Sequence, residues 1–292
     1  MAYRLGNRLL PVYSRVSGAL RGRGLGRIGP LHLTHEWLLA KLNEGLVDVQ
    51  GHKMLLDPID TLGLSVRDVW EPLETKVVQN EVRRGSVVLD IGAHIGYYTL
   101  MMARLVGSRG RVFAFEPNPA NYDLLRRNIQ INSYRNVTAV NRAVSDMQTK
   151  TRLHLSEDNS GDHRIYDSKD GRRSVEVRSI GLNSYFRRYT RRIDFIKMDI
   201  QGAEPGAIRG MSSLLQSHHP RMVVEFWPFG LTRFGVSGME FLELLMSFDY
   251  ELFEVDERTS SIEPAAINAL VAAYDPDDEF RHTNLLCVPG AA

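Results

Sequence analysis

A chain of 292 residues is long enough for one full α/β domain with an appendage, since domains usually hold roughly 100–200 residues. Its 43% hydrophobic and 24% charged residues exclude disorder as the main state, and a net charge of +1 leaves no global field to recruit nucleic acid or an acidic surface. The single cysteine, Cys287, excludes an intrachain disulfide and a thiolate zinc site, so a reducing compartment, the cytoplasm, is the expected location.

The first 66 residues precede any strand–helix alternation and read as an N-terminal appendage, with a helix expected over 35–43 and a small hairpin over 45–57. No targeting segment is expected, because no apolar run approaches the roughly 18 residues of a membrane span. Arg4, Arg8 and Arg15 also interrupt any signal-peptide core. Leu5, Leu9, Val12 and Val16 fall at helical spacing beside these arginines. The favoured reading is an amphipathic helix packed on the main domain with a solvated basic face; peripheral contact with a lipid surface is the alternative.

From residue 67 to 292 the pattern predicts one domain. Pro72 opens a helix that closes near Gly85, and the apolar run over 86–91 is the first strand. A helix follows over 97–106, then a second strand over 111–116 and a helix capped by Asn118 with Pro119 in its first turn. A third strand is expected over 136–141. The polar stretch 145–192, with alternation over 174–180, reads as a partly β insertion. A fourth strand over 193–199, a helix over 205–217 and a fifth strand over 221–226 resume the alternation. A helix over 238–248 and strands over 250–255 and 284–288 complete seven strands. Such alternation predicts a doubly wound, mainly parallel sheet covered on both faces, with ligands bound beyond the strands' carboxyl ends.

Asp90 ends the first strand and leads through Gly92, Ala93, His94 and Gly96 into the helix carrying Tyr97 and Thr99. The D-x-G-x-x-x-G spacing lacks the closer glycines that bring backbone against a dinucleotide pyrophosphate, which disfavours a nicotinamide-dependent oxidoreductase. It suits a ligand without phosphates, such as S-adenosylmethionine. Glu116, followed by Pro117, ends the second strand, where an acid can accept hydrogen bonds from both ribose hydroxyls. Ala143 and Val144, just past the third strand, are placed to pack on the adenine.

The chain resembles the FkbM-type methyltransferases through V-L-D-I-G-A-H-I-G-Y-Y-T-L from Val88, F-E-P-N-P from Phe115 and D-F-I-K-M-D-I-Q-G-A-E from Asp194. The resemblance spans roughly 71–226. It implies a class I, Rossmann-like methyltransferase fold and S-adenosylmethionine-dependent O-methylation of a sugar, glycan or natural product. Two departures are visible: His94 stands where the family usually has Asn, and Gln201 where it usually has Glu.

Methyl transfer to a hydroxyl requires alignment of the acceptor and a lowered proton affinity. Asp199, ending the fourth strand, is the first candidate to orient or deprotonate the acceptor, and Glu204 the second; each can instead serve the local backbone or the helix N-terminus. Asp199 and Glu225, at adjacent strand ends, can together hold a magnesium ion. Methylation of RNA or another macromolecule is the nearest rival, since Arg187, Arg188, Arg191 and Arg192 lie among Tyr185, Phe186 and Tyr189. The balanced charge argues against it. A catalytically silent cofactor-binding domain is the other alternative, raised by Gln201. The expected partner is a small-molecule or glycan acceptor, with His163, Arg164, Tyr166, Trp227 and Phe229 as lining.

Overall fold

The computed structural model describes residues 46–167 and 169–290. The expected helix over 35–43 and the arginine-rich stretch before it lie outside the described residues.

The described chain opens with a hairpin of β1 (Val47–Val49) and β2 (His52–Met54), turned at Gln50 and Gly51. Then follow α1 (Pro72–Glu81), β3 (Val87–Ile91), α2 (Tyr97–Val106), β4 (Arg111–Phe115), α3 (Pro119–Ile131) and β5 (Val137–Val140). Asn118 caps α3 as expected, its side chain accepting from the amides of Ala120 and Asn121. The insertion carries β6 (Ala143–Val144), β7 (Lys150–His154), β8 (Ser174–Ile180) and the short α4 (Leu182–Tyr185). β9 (Phe195–Met198), α5 (Glu204–Gly210), α6 (Ser212–His218) and β10 (Arg221–Phe226) come next. The chain ends with α7 (Pro228–Phe234), α8 (Gly238–Met246), β11 (Tyr250–Asp256), β12 (Ser261–Pro264), α9 (Ile267–Ala273) and β13 (Thr283–Pro289).

The main sheet runs β12-β11-β13-β10-β9-β3-β4-β5. β5, β4, β3, β9 and β10 are parallel neighbours, and β13 enters antiparallel between β10 and β11. All seven expected strands are present. An eighth, β12, extends the edge as the antiparallel partner of β11. Alternate strand residues feed two cores: Leu89, Ile91 and Met198 pack on one face, Val88, Ala114 and Phe195 on the other. This is a doubly wound, Rossmann-like sheet. In the insertion, β8 pairs parallel with β6 and antiparallel with β7, a small second sheet.

The structure differs from expectation in local ways. The helix expected over 205–217 is two helices that break at Met211. The backbone of the insertion presses on Gly210, where an added Cβ would lie 2.0 Å from the Ser145 carbonyl oxygen. The hairpin packs into the core of the sheet: Val49, Met54 and Leu56 share an apolar cluster with Leu100 and Leu125. Asn128 of α3 fixes it, accepting from the Leu55 amide at 2.7 Å and donating to the Leu55 and Ile95 carbonyls at 2.9 and 2.8 Å. Tyr185, Phe186 and Tyr189 stack edge-on against Phe113, with Phe186 buried and the two tyrosines half-buried, so these rings are committed to packing on the domain. Among the described residues no helix is long and apolar enough to cross a membrane.

Candidate active site

The carboxyl ends of β3, β4 and β9 meet in a cleft of about 530 Å³. Gly92 makes the junction possible. It sits at φ +84°, and a Cβ there would lie 1.9 Å from the Asp199 carbonyl oxygen, so only glycine lets the β3 and β9 loops touch. The amides of Gly92 and Ala93 both donate to the Phe115 carbonyl at 3.0 Å, which ties the β3 loop to β4. His94 follows in the left-handed region at φ 49°, a conformation that Asn and His tolerate better than most residues.

Glu116 forms one wall of the cleft. Its Oε2 accepts from the His94 amide and its Oε1 from the Asn118 amide, each at 2.8 Å, so the carboxylate is fixed while each oxygen keeps a second lone pair for a ligand. Burial pushes its carboxyl up to about 7, against the pull of those two amides. Asp199 stands on another side of the cleft. Burial pushes its carboxyl up, but the Lys197 ammonium at 3.2 Å and the Gln201 amide donating at 2.8 Å outweigh this and hold it below the usual range.

The roof comes from the insertion. Ser160 Oγ hydrogen-bonds His94 Nε2 at 2.7 Å and Thr61 Oγ1 at 2.9 Å, and its carbonyl accepts from Asn121 Nδ2 at 2.9 Å. His94 Nδ1 is buried and unpartnered among the described residues. His163 also lines the cleft; burial lowers its imidazole to about 4, and Nδ1 accepts from the Ser156 amide at 3.1 Å.

Of the sequence candidates, Gly92, His94, Glu116, Pro117, Ala143, Val144 and Asp199 line the cleft together. Asp90, Ala93, Gly96, Tyr97 and Thr99 do not. Asp90 lies beneath, on the sheet face covered by α1 and α2, where it accepts from Thr99 Oγ1 and its register partner on β9 is Lys197. The Tyr97 hydroxyl is spent on Gln50, Trp70 and Thr75. Glu204 opens α5 fully buried, its Oε1 accepting from the Ile200 amide at 2.9 Å, and burial lifts its carboxyl to about 8.

Lys197 is absent from the sequence candidates. It is 3% exposed, its ammonium lies 4.7 Å from the Tyr98 ring centroid, and burial, which would discharge it, is overruled by Asp199, Glu74 and Asp90. An isolated lysine inside the apolar run Phe-Ile-Lys-Met was the available signal. Arg164, Trp227 and Phe229, expected as acceptor lining, instead form an internal clamp. Arg164 is 1% exposed, pairs with Asp162 at 2.7 Å and Glu279 at 3.2 Å, and stacks 4.8 Å over Trp227. Two residues on, the Tyr166 hydroxyl donates to the Gln201 carbonyl at 2.7 Å, which fixes the loop after β9 from above.

The donor set does not fit a magnesium ion. Gln201 Nε2 bridges Asp199 at 2.8 Å and Glu225 at 3.3 Å, so an N–H donor occupies the space between the two carboxylates, and Lys197 already neutralises Asp199. Among the described residues no group of three or more His, Cys, Asp or Glu side chains could hold a metal ion. S-adenosylmethionine fits better: two anchored carboxylates face a cleft also lined by apolar Ala143 and Val144, and among the described residues no glycine loop of phosphate-binding spacing follows a strand.

Comparison with known proteins agrees in kind. The methyltransferase SdnD of Sordaria araneosa is 27% identical over 176 residues, covering 49% of this chain and 68% of that protein. A protein-L-isoaspartate O-methyltransferase of Methanothrix thermoacetophila is 38% identical over 60 residues, 20% of this chain; the match spans only 29% of that enzyme's length. Among solved structures, a methyltransferase FkbM from Methylobacillus flagellatus KT aligns with a TM-score of 0.42 at 17% identity, over 70% of this chain and 44% of its own. The family profile of the methyltransferase FkbM domain matches residues 90–254, more than half of the sequence: the chain belongs to the FkbM methyltransferases.

Proposed function

We propose that the protein is an S-adenosylmethionine-dependent methyltransferase that methylates a hydroxyl oxygen on a sugar, glycan or other hydroxylated natural product. The observation that carries this reading is the cleft itself, with Glu116 on one wall and an ionised, lysine-paired Asp199 on another. The matches to SdnD and to isoaspartate O-methyltransferases support methyl transfer, and the latter are named for transfer to oxygen.

When bound, S-adenosylmethionine supplies an electrophilic methyl group on a sulfonium. Glu116 would accept hydrogen bonds from the ribose hydroxyls, and Ala143 and Val144 would pack against the base. Asp199 accepts the acceptor hydroxyl's hydrogen bond and turns its oxygen lone pair toward the cleft. Because Lys197 and Gln201 hold Asp199 low, it is a weak base and a strong orienting anion. Its alignment and electrostatic roles therefore come first, and the hydroxyl's proton passes through Asp199 to solvent as the oxygen is methylated and becomes strongly acidic. Glu204, its carboxyl lifted to about 8, is protonated at neutral pH and braces the loop after β9.

The test is methyl-transfer turnover on a panel of hydroxylated sugars and phenols, with the product site read by NMR and the assay repeated with chelator. O-methyl products, with activity intact in chelator, are expected. N- or C-methyl products, or chelator-sensitive activity, contradict the reading. Cofactor binding without turnover on any acceptor favours the silent domain.

A further inference from the structure

A second cavity, of about 660 Å³ and open to solvent, lies on the same carboxyl edge of the main sheet, between the start of α1, the end of β11 and the segment leading into β13. Ligands of open α/β sheets bind along this edge, and the cofactor reading makes no use of this cavity. Its wall backs directly on the charge network around Asp199. The Tyr98 hydroxyl donates to Glu71 at 3.5 Å, and the Tyr98 ring carries the Lys197 ammonium. Asn284, the register partner of Glu225, donates to Glu74 at 2.9 Å. His282 lies on the same wall.

The chemistry of the wall selects a neutral, hydroxyl-rich ligand. Three carboxylates, Glu71, Asp256 and Glu257, alternate with two guanidiniums, Arg258 and Arg281, so the wall mixes hydrogen-bond acceptors with donors. Asp256 accepts from the Arg258 amide at 2.8 Å and Glu257 from the Glu74 amide at 2.7 Å, which makes the acidic side rigid. Carboxylates accept from sugar hydroxyls and guanidiniums donate to them. Phe280, 87% exposed on the rim, offers an aromatic face of the kind on which the C–H side of a pyranose packs.

We propose that this cavity is the acceptor pocket and that the acceptor is a carbohydrate at least two rings long, one ring held between Phe280 and Glu71 and the next presenting its hydroxyl to Asp199. The length follows from the sheet: β13 lies two places from β9, about 10 Å at the usual strand spacing and close to the span of a disaccharide. The inference rests on the proposed methyl transfer to a hydroxyl, but its test does not require turnover.

Saturation-transfer NMR on the full chain, with a panel of α- and β-linked hexose disaccharides and glucose as probes, reads the pocket. Calorimetry with S-adenosylhomocysteine on the same samples reads the cofactor site. Ring protons of at least one disaccharide are expected to saturate well above those of glucose, and Phe280→Ala and Glu71→Gln each reduce that signal at least fivefold. S-adenosylhomocysteine binding without disaccharide saturation, or saturation unchanged in both variants, overturns the pocket and spares the cofactor site. Disaccharide saturation sensitive to Phe280→Ala, without S-adenosylhomocysteine binding, supports the pocket and overturns the cofactor reading.

Discussion

Removing the Glu116 carboxylate, by mutation or by protonation, is the sharpest perturbation of the cleft. Each oxygen already accepts one backbone amide at 2.8 Å, so the remaining lone pairs are directed by the protein before any ligand arrives. Hydrogen bonds to a charged acceptor contribute about 1.5–3 kcal/mol, so Glu116→Ala weakens S-adenosylhomocysteine binding by about 10- to 150-fold. Protonation gives a second, independent measure. With the carboxyl at about 7, about one molecule in eleven is ionised at pH 6 and ten in eleven at pH 8. If the ribose hydroxyls require the anion, affinity rises about tenfold over that interval, or about 1.4 kcal/mol, with release of a proton. The sign for folding is opposite. A carboxyl raised in the folded state adds stability below the unfolded value, and that contribution is lost as pH rises through about 7. Calorimetry at pH 6 and 8, in buffers of different ionisation enthalpy, reads affinity and proton release together. Unchanged affinity in a folded Glu116→Ala variant would falsify the ribose role, and a pH-independent affinity in the wild type would show that Glu116 does not titrate in this interval.

Three other outcomes follow from the same geometry. Asp199→Asn lowers turnover by about 10²–10⁴ with little change in S-adenosylhomocysteine affinity, as expected for a group that aligns the acceptor; near-normal turnover in steady-state kinetics removes Asp199 from the chemistry. Gly92→Ala drives a Cβ to within 1.9 Å of the Asp199 carbonyl at φ +84°, which costs at least about 2 kcal/mol. A melting temperature unchanged from the wild type would show that the β3 and β9 loops are not so tightly joined. Arg164→Met costs about 2–3 kcal/mol, less than a fully buried pair, because Asp162 keeps Arg172 at 2.7 Å and Glu279 is 44% exposed. Faster proteolysis within 155–173 is expected, and an unchanged cleavage rate and urea midpoint would refute the clamp.

How far the sequence could be read depended on whether the signal was local. The strand ends at Asp90 and Glu116 were legible because apolar runs stop there and turn residues follow, and both runs lie in the sheet as expected. β12 escaped because Ser-Ile-Glu-Pro is largely exposed and carries no periodic pattern, its only support being the ladder to β11. The break at Met211 is tertiary: nothing in the residues near Gly210 announces that Ser145 presses on it. The same holds for the site. Glu116 was placed by its strand, whereas Asp90 follows the two-residue alternation to the opposite face and meets Lys197 there. Ser160 joins the cleft only through folding, across 66 residues from His94. The exchange of Glu for Gln at 201 became interpretable once its amide was seen between Asp199 and Glu225.

The central claim is that the cleft at the ends of β3, β4 and β9 is built for S-adenosylmethionine. Equilibrium titration of the full chain with S-adenosylhomocysteine and, separately, with NAD tests it most directly. The account predicts saturable one-to-one binding of S-adenosylhomocysteine, abolished or strongly weakened by Glu116→Ala, and no measurable binding of NAD. Saturable NAD binding with none for S-adenosylhomocysteine would contradict it.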